Sequence, residues 1–246
     1  GVDLLVLPAN ADVQERIYHG LWLALSRGLV TKRHLHPSLE RVLALKRWVA
    51  EQEQPDLAVV GCAKHRRLEQ EVARRAVTLV RDNSSLLPLH LPADAAVAAI
   101  TPEPQDLTPA DTSSYVRPAM AKALRAYHPR VDEFITSQPP ASTEIAALRE
   151  RAAEYDLLVV GTISAHLQPE QGTLVQELLS TGVPVITVAL RTPYDLLAYP
   201  QAGTHLCTYS IQPCALEALA AAMWGEIPFQ GKLPVSNTQG AVHNAQ

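Results

Sequence analysis

No run of apolar residues in this 246-residue chain approaches the roughly 18 that would cross a bilayer, so no membrane span is expected. Charge of one sign is also scarce. The formal net charge of -4 offers no electrostatic case for nucleic acid as a partner. One basic cluster, Lys64, His65, Arg66, Arg67, Arg74 and Arg75, is interleaved with Glu69 and Glu71 and reads as a solvated helix face. Cysteine is rare. Cys62, Cys207 and Cys214 are odd in number and show no CxxC spacing, which argues against a disulfide framework and a zinc site. Glycine-rich phosphate loops are missing too, since Gly161 and Gly172 form neither a P-loop nor a dinucleotide turn. No metal and no cofactor are expected. The opening Gly1-Val-Asp-Leu-Leu-Val-Leu-Pro8 lacks the basic region and small-residue cleavage site of a signal peptide. It reads as the middle of a domain, with the natural amino terminus expected upstream.

What is present is a core-building alternation. Hydrophobic residues make up 47 %, enough for a substantial interior. Val2 to Leu7 reads as a strand, with Asp12 capping a helix from near Val13 that Gly28 ends. Thr31 reads as the cap of a short turn. Pro37 is placed in the first turn of a further amphipathic helix through Leu45, with His34 and His36 at its start rather than as a metal pair. One βα unit with a tail cannot bury its own strand. Residues 49–68 are polar and read as a linker, followed by a helix over 69–80 and a turn at 82–85. From Asp94 onward strands and helices alternate. Strands are predicted at 95–100, 131–135, 156–161, 183–190 and 206–209, and helices at 116–127, 143–154, 170–180 and 214–224. Residues 231–236 read as a final edge strand, and 239–246 as a tail. This pattern predicts a three-layer αβα sandwich over 69–238 with a mostly parallel sheet.

The stretch Pro184-Val-Ile-Thr-Val-Ala-Leu-Arg-Thr-Pro-Tyr-Asp195 is the most telling. Its β-branched run without alternation suits a strand covered on both faces. The polar turn that follows lies where open α/β sheets place ligand-facing groups. Arg191, Tyr194 and Asp195 therefore share one sheet edge with Thr162, Ser164 and His166 of the preceding strand. Arg191 can grip a carboxylate and Tyr194 can stack on a sugar face. The plainer alternative ties Arg191 to Asp195 or to another domain. His166 has no nearby carboxylate in sequence but Glu170, and a surface histidine is expected. Asn10, just past the first strand, can reach a substrate hydroxyl or hold a loop. Asp3, at the amino end of that strand, has a structural role. The candidate substrate-binding residues are thus Asn10, His166, Arg191, Tyr194 and Asp195, and no residue is assigned to catalysis.

Several ordered motifs together resemble the two-domain bacterial β-N-acetylhexosaminidases of glycoside hydrolase family 3. The first eight residues look like that family's last barrel strand. Gly28 to Lys46, with Ser38, Arg41 and Val42, is similar to the barrel-closing helix. Glu71 to Asn83 with Leu86-Leu-Pro-Leu89 resembles the lead into the second domain. Tyr155 to Thr162, Leu190 to Asp195, and Gly225 with Gly231-Lys-Leu-Pro-Val235 resemble that domain itself. The resemblance implies that residues 1–48 are the terminal βα segment of a (β/α)8 barrel. It also implies retaining hydrolysis of β-linked N-acetylglucosamine, with peptidoglycan or chitin fragments as the substrate class. The implied aspartate nucleophile and Asp-His acid/base belong to upstream barrel regions, and no residue here matches them. The implied partners are the catalytic barrel domain of the same protein and a carbohydrate substrate. A non-catalytic module that binds carbohydrate or protein is the rival reading.

Overall fold

The computed structural model describes residues 2–235. The chain divides into two compact units, Gly1–Val60 and Gly61–Gln246.

The first unit is helical. Helix α1 spans Ala11–Ser26 and α2 spans Lys32–Ala50. Residues 2–7 join no strand ladder among the described residues, contrary to the predicted strand, because a strand exists only where a second backbone takes its hydrogen bonds. The cap of α1 is Asn10 rather than Asp12; its Oδ1 accepts the Val13 N–H at 3.0 Å. Thr31 caps α2 itself, not a separate turn. Pro37 consequently lies inside α2 instead of in its first turn, where the missing N–H deprives the Arg33 carbonyl of its helical donor. Asp3 has the structural role expected of it. It accepts Ser38 Oγ at 2.6 Å and both Arg41 Nε and Nη2 at 2.7 Å, a bidentate clamp that holds the carboxyl well below the usual carboxylate range. No residue from 2 to 60 is buried.

In the second unit, helix α3 spans Ala63–Ala76 and starts inside the predicted linker, since Lys64 to Gln70 are polar but good helix formers. Six strands follow, β1 Thr78–Asp82, β2 Val97–Pro102, β3 Val131–Thr136, β4 Leu157–Thr162, β5 Val185–Ala189 and β6 Thr204–Cys207. They are interleaved with α4 Met120–Arg125, α5 Ser142–Arg151 and α6 Pro169–Leu179, and α7 Pro213–Met223 follows them. The sheet order is β1-β6-β5-β4-β2-β3. Every pairing is parallel except β1 with β6. The predicted helix over 69–80 missed β1, whose pairing partner lies more than a hundred residues away. The predicted helix at 116 starts only at Met120, because Pro118 disfavours a helical Arg117. Residues 231–235 form no strand, although the Gly231 N–H reaches the Val77 carbonyl at 3.1 Å. Ser236 and the predicted tail lie outside the described residues.

The apolar side chains of the strands alternate between two cores, as the pleat requires. Val97, Ala99, Leu157, Val159, Ile186 and Val188 pack with α3, α4 and α7. Ala98, Ile100, Leu158, Val160 and Val185 pack with α5, α6 and the segment carrying Leu196, Tyr199 and Ala202. Helices on both faces of a mostly parallel sheet make the unit an αβα sandwich. Exposed Asp132 and Glu133 mark β3 as an edge strand guarded by charge.

Candidate functional site

Register places the candidate groups. Thr162 lies beside Ala189, and Ala189 beside Cys207, so the segments after β4, β5 and β6 leave the sheet at one edge. The connection from β5 crosses the face of α5 and α6, whereas β6 leads into α7 on the opposite face. Divergent connections of this kind open a crevice at the carboxyl ends of the strands.

Asp195 is the centre of one polar array. It is fully buried. Its Oδ2 accepts the Thr162 hydroxyl at 2.7 Å, and its Oδ1 lies 3.3 Å from both His166 Nδ1 and Thr192 Oγ1. Because Thr162 donates to the carboxylate, the Tyr199 hydroxyl, 2.8 Å away, donates to Thr162. Burial pushes the Asp195 carboxyl above its ordinary range, with Thr162 and His166 pulling the other way. Burial raises the Tyr199 phenol well above its usual value. His166 is thus not the isolated surface histidine expected from sequence. Its side chain is 21 % exposed, and it meets a carboxylate 29 positions away. Tyr194 packs edge-on against its ring, with centroids 5.4 Å apart.

The loop that carries His166 is locked from below. Gln171 Oε1 accepts the Ile163 N–H, and its amide donates to the Ile163 carbonyl, both at 2.8 Å. Buried Ser164 takes a left-handed φ of 56°, a conformation that clusters at functional sites. A Cβ on Gly161 would stand 2.7 Å from Leu190 Cδ1, so a larger residue there would require the Leu190 side chain to shift.

Arg191 stands apart from Asp195, contrary to one expectation. Its Nη2 donates to Asp111 Oδ2 at 2.6 Å and its Nη1 to Ser113 Oγ at 3.1 Å. Asp111 also accepts the N–H groups of Leu107 and Ser113 and the Ser113 hydroxyl. With the Leu107 N–H first among them, these bonds hold its carboxyl well below the usual carboxylate range. Sequence reasoning missed Asp111, which lies 80 positions from Arg191. The Asp111-Thr-Ser113 pattern, a side chain closing its own turn, was the available signal.

Comparison with known proteins fits this architecture. No family model matches the chain. A β-N-acetylglucosaminidase/β-glucosidase of Cellulomonas fimi is 25% identical over 259 residues, covering 96% of this chain and 44% of that protein. A β-hexosaminidase A of Pseudoalteromonas piscicida is 26% identical over 276 residues, covering 96% and 45%. The structure of a glycoside hydrolase family 3 β-N-acetylglucosaminidase from a Paenibacillus species superposes with a TM-score of 0.80 at 25% identity, covering 95% of this chain and 45% of that one. The chain is homologous to the carboxyl-terminal part of family 3 β-N-acetylglucosaminidases. It spans less than half the length of the curated relatives it matches.

In the second unit the structure brings together three of the five candidates, His166, Tyr194 and Asp195. Arg191 joins a neighbouring pair with Asp111. Asn10 belongs to the other unit, where its side chain caps α1. His34 and His36 lie within α2, and His36 faces Glu40 at 3.4 Å. No cluster of three His, Cys, Asp or Glu side chains with metal-binding geometry occurs among the described residues. All three cysteines are free. Burial pushes the Cys207 thiol up to about 12, and burial with Glu69 pushes Cys214 up to about 11, which leaves both as poor nucleophiles. Beneath the site, His205 is fully buried, and burial depresses its pKa to about 3.

Proposed function

We propose that this chain is the carboxyl-terminal portion of a glycosidase acting on β-linked N-acetylglucosamine. In this reading residues 1–48 complete a (β/α)8 barrel that carries the chemistry, 49–68 link the two parts, and the sandwich of 69–238 supports the barrel. The sheet edge bearing His166, Arg191, Tyr194 and Asp195 borders the cleft and contributes binding groups, as does Asn10 from the barrel side. Peptidoglycan or chitin fragments are the substrate class.

The observation that carries this reading is the first unit. Leu21, Trp22, Leu39 and Trp48 are all more than half exposed, on helices with no buried residue. An apolar surface of that extent marks a missing partner, and the relatives are more than twice as long as the matched region. The carboxylates at the sheet edge point the same way. Retaining hydrolysis needs a nucleophile and an acid facing one anomeric carbon. Asp111 and Asp195 are instead occupied by Arg191, Ser113, Thr162 and His166 of the same unit, so the reacting carboxylates are assigned to the barrel.

Release of chromophore from an aryl β-N-acetylglucosaminide tests the assignment. The chain alone is expected to be inactive, and a polypeptide joining it to a family 3 barrel is expected to turn over. Turnover by the chain alone would overturn the division of labour. Failure of the joined protein on this substrate, with hydrolysis of an aryl glucoside, would overturn the substrate.

A further inference from the structure

The crevice between the carboxyl ends of β5 and β6 is a second feature of this edge, separate from the Asp195 array. It encloses about 220 Å³ between Arg191 and Asp111 on one side and Tyr209, Ser210, Ile211 and Gln212 on the other. All of these residues belong to the second unit. We propose that this crevice is a subsite for a single pyranose ring of a carbohydrate. The ligand class rests on the glycosidase reading, but the site itself rests on four observations.

The first is topological. The β5 and β6 connections diverge to opposite faces, which is where open α/β sheets bind ligands. The second is size. The volume falls below the roughly 300–1,000 Å³ of pockets for drug-sized ligands, so the occupant is one sugar ring or smaller.

The third is the balance of charge and hydrogen-bonding groups. Arg191 is neutralised by Asp111 at 2.6 Å, so the crevice does not call for an anion. The outer groups of Arg191, the Ser210 hydroxyl and the Gln212 amide together offer donors and acceptors, the mixture that sugar hydroxyls require. The Gln212 side chain makes no hydrogen bond among the described residues. The fourth is strain. Tyr209 holds a left-handed φ of 57°, which non-glycine residues rarely adopt. That conformation ends β6 two residues short of the predicted strand and turns the chain into the lining formed by Tyr209 to Gln212. The Tyr209 hydroxyl is tied to Thr78 Oγ1 at 3.0 Å. Strain of this kind is kept where a ligand site needs it.

The test is a titration of the purified chain with N-acetylglucosamine, followed through the backbone amides in two-dimensional NMR. Saturable shifts are expected at 111–113, 191–192 and 209–212. Gln212→Ala is expected to weaken binding about fivefold, the loss of one hydrogen bond. Ser210→Ala removes a crevice hydroxyl and is expected to weaken binding by a similar factor while the spectrum elsewhere stays folded. Shifts that do not saturate, shifts centred on other residues, or unchanged affinity in both variants would overturn the subsite. Displacement of the sugar by acetate at the same amides would also overturn it, making the crevice an anion site. Binding here with no hydrolysis by the joined polypeptide would sink the glycosidase reading and leave the subsite standing. Hydrolysis without binding here would do the reverse.

Discussion

Acidification should destabilise the sandwich through one buried histidine. The His205 side chain has no exposure to solvent. Thr187 Oγ1 donates to the Thr204 carbonyl at 3.0 Å, so the His205 Nδ1–H, 2.9 Å away, donates to Thr187. That fixes the neutral tautomer with Nε2 unprotonated. Nε2 faces Cys207 Sγ at 3.8 Å, and the Tyr199 ring packs beside the imidazole. Among the described residues no carboxylate hydrogen-bonds to the ring to stabilise an added proton. Burial therefore lowers the pKa from 6.5 to about 3, with Arg81 adding to the shift. The unfolded chain takes up this proton near pH 6.5 and the folded chain does not. The stabilising contribution is therefore complete above the unfolded value and declines as pH falls below it. The slope is about 1.4 kcal/mol per pH unit, or about 2 kcal/mol lost by pH 5. That is a sizeable share of the 5–15 kcal/mol typical of a domain. His205→Asn keeps an amide donor for Thr187 and cannot titrate. Urea unfolding of both proteins between about pH 6.5 and pH 4.5 should show curves that converge on acidification. Parallel curves would refute a neutral buried His205.

Thr162→Val preserves shape but strands the buried Tyr199 hydroxyl and removes a donor from Asp195. It should cost about 2–4 kcal/mol in urea unfolding. Adding Tyr199→Phe should recover part of that loss, and strict additivity in the double-mutant cycle would disprove the chain of hydrogen bonds. Asp195 has the opposite sign to His205. Burial raises its folded pKa, so its stabilising contribution is present below about pH 4 and is lost as pH rises through the raised value. Asp195→Asn should therefore gain stability relative to the parent as pH rises from about 4, and a constant offset between the two would count against it. Trypsin should cut first between Arg16 and Arg67, where no residue up to 60 is buried, and leave a resistant fragment containing the six strands. Persistence of the intact amino terminus alongside that fragment would contradict the exposed first unit.

The division between sequence and tertiary structure follows the range of the interactions involved. Sandwich architecture was legible because it rests on local periodicity. Five of six strands carry short apolar stretches that the sequence pattern marked, and helices separate most of them. Strand β1 was not legible, because Thr78 to Asp82 become a strand only by pairing with Thr204 to Cys207. The edge that gathers Thr162, Ser164, His166 and Asp195 followed from the rule that neighbouring parallel strands end together. Which of those side chains meet did not follow. Asp12 was the expected cap of the first helix, and the backbone geometry at Val13 chose Asn10 instead. Arg191 had a carboxylate four residues away, yet its partner is Asp111 from a distant loop. His166 had only Glu170 nearby in sequence, yet it faces Asp195. Sequence by itself determined the fold class, the kinship and the edge where polar residues collect, because these depend on patterns a few residues long. Tertiary structure alone decided the hydrogen-bond partners and the depressed pKa of His205, because pairing and desolvation depend on groups brought together from across the chain.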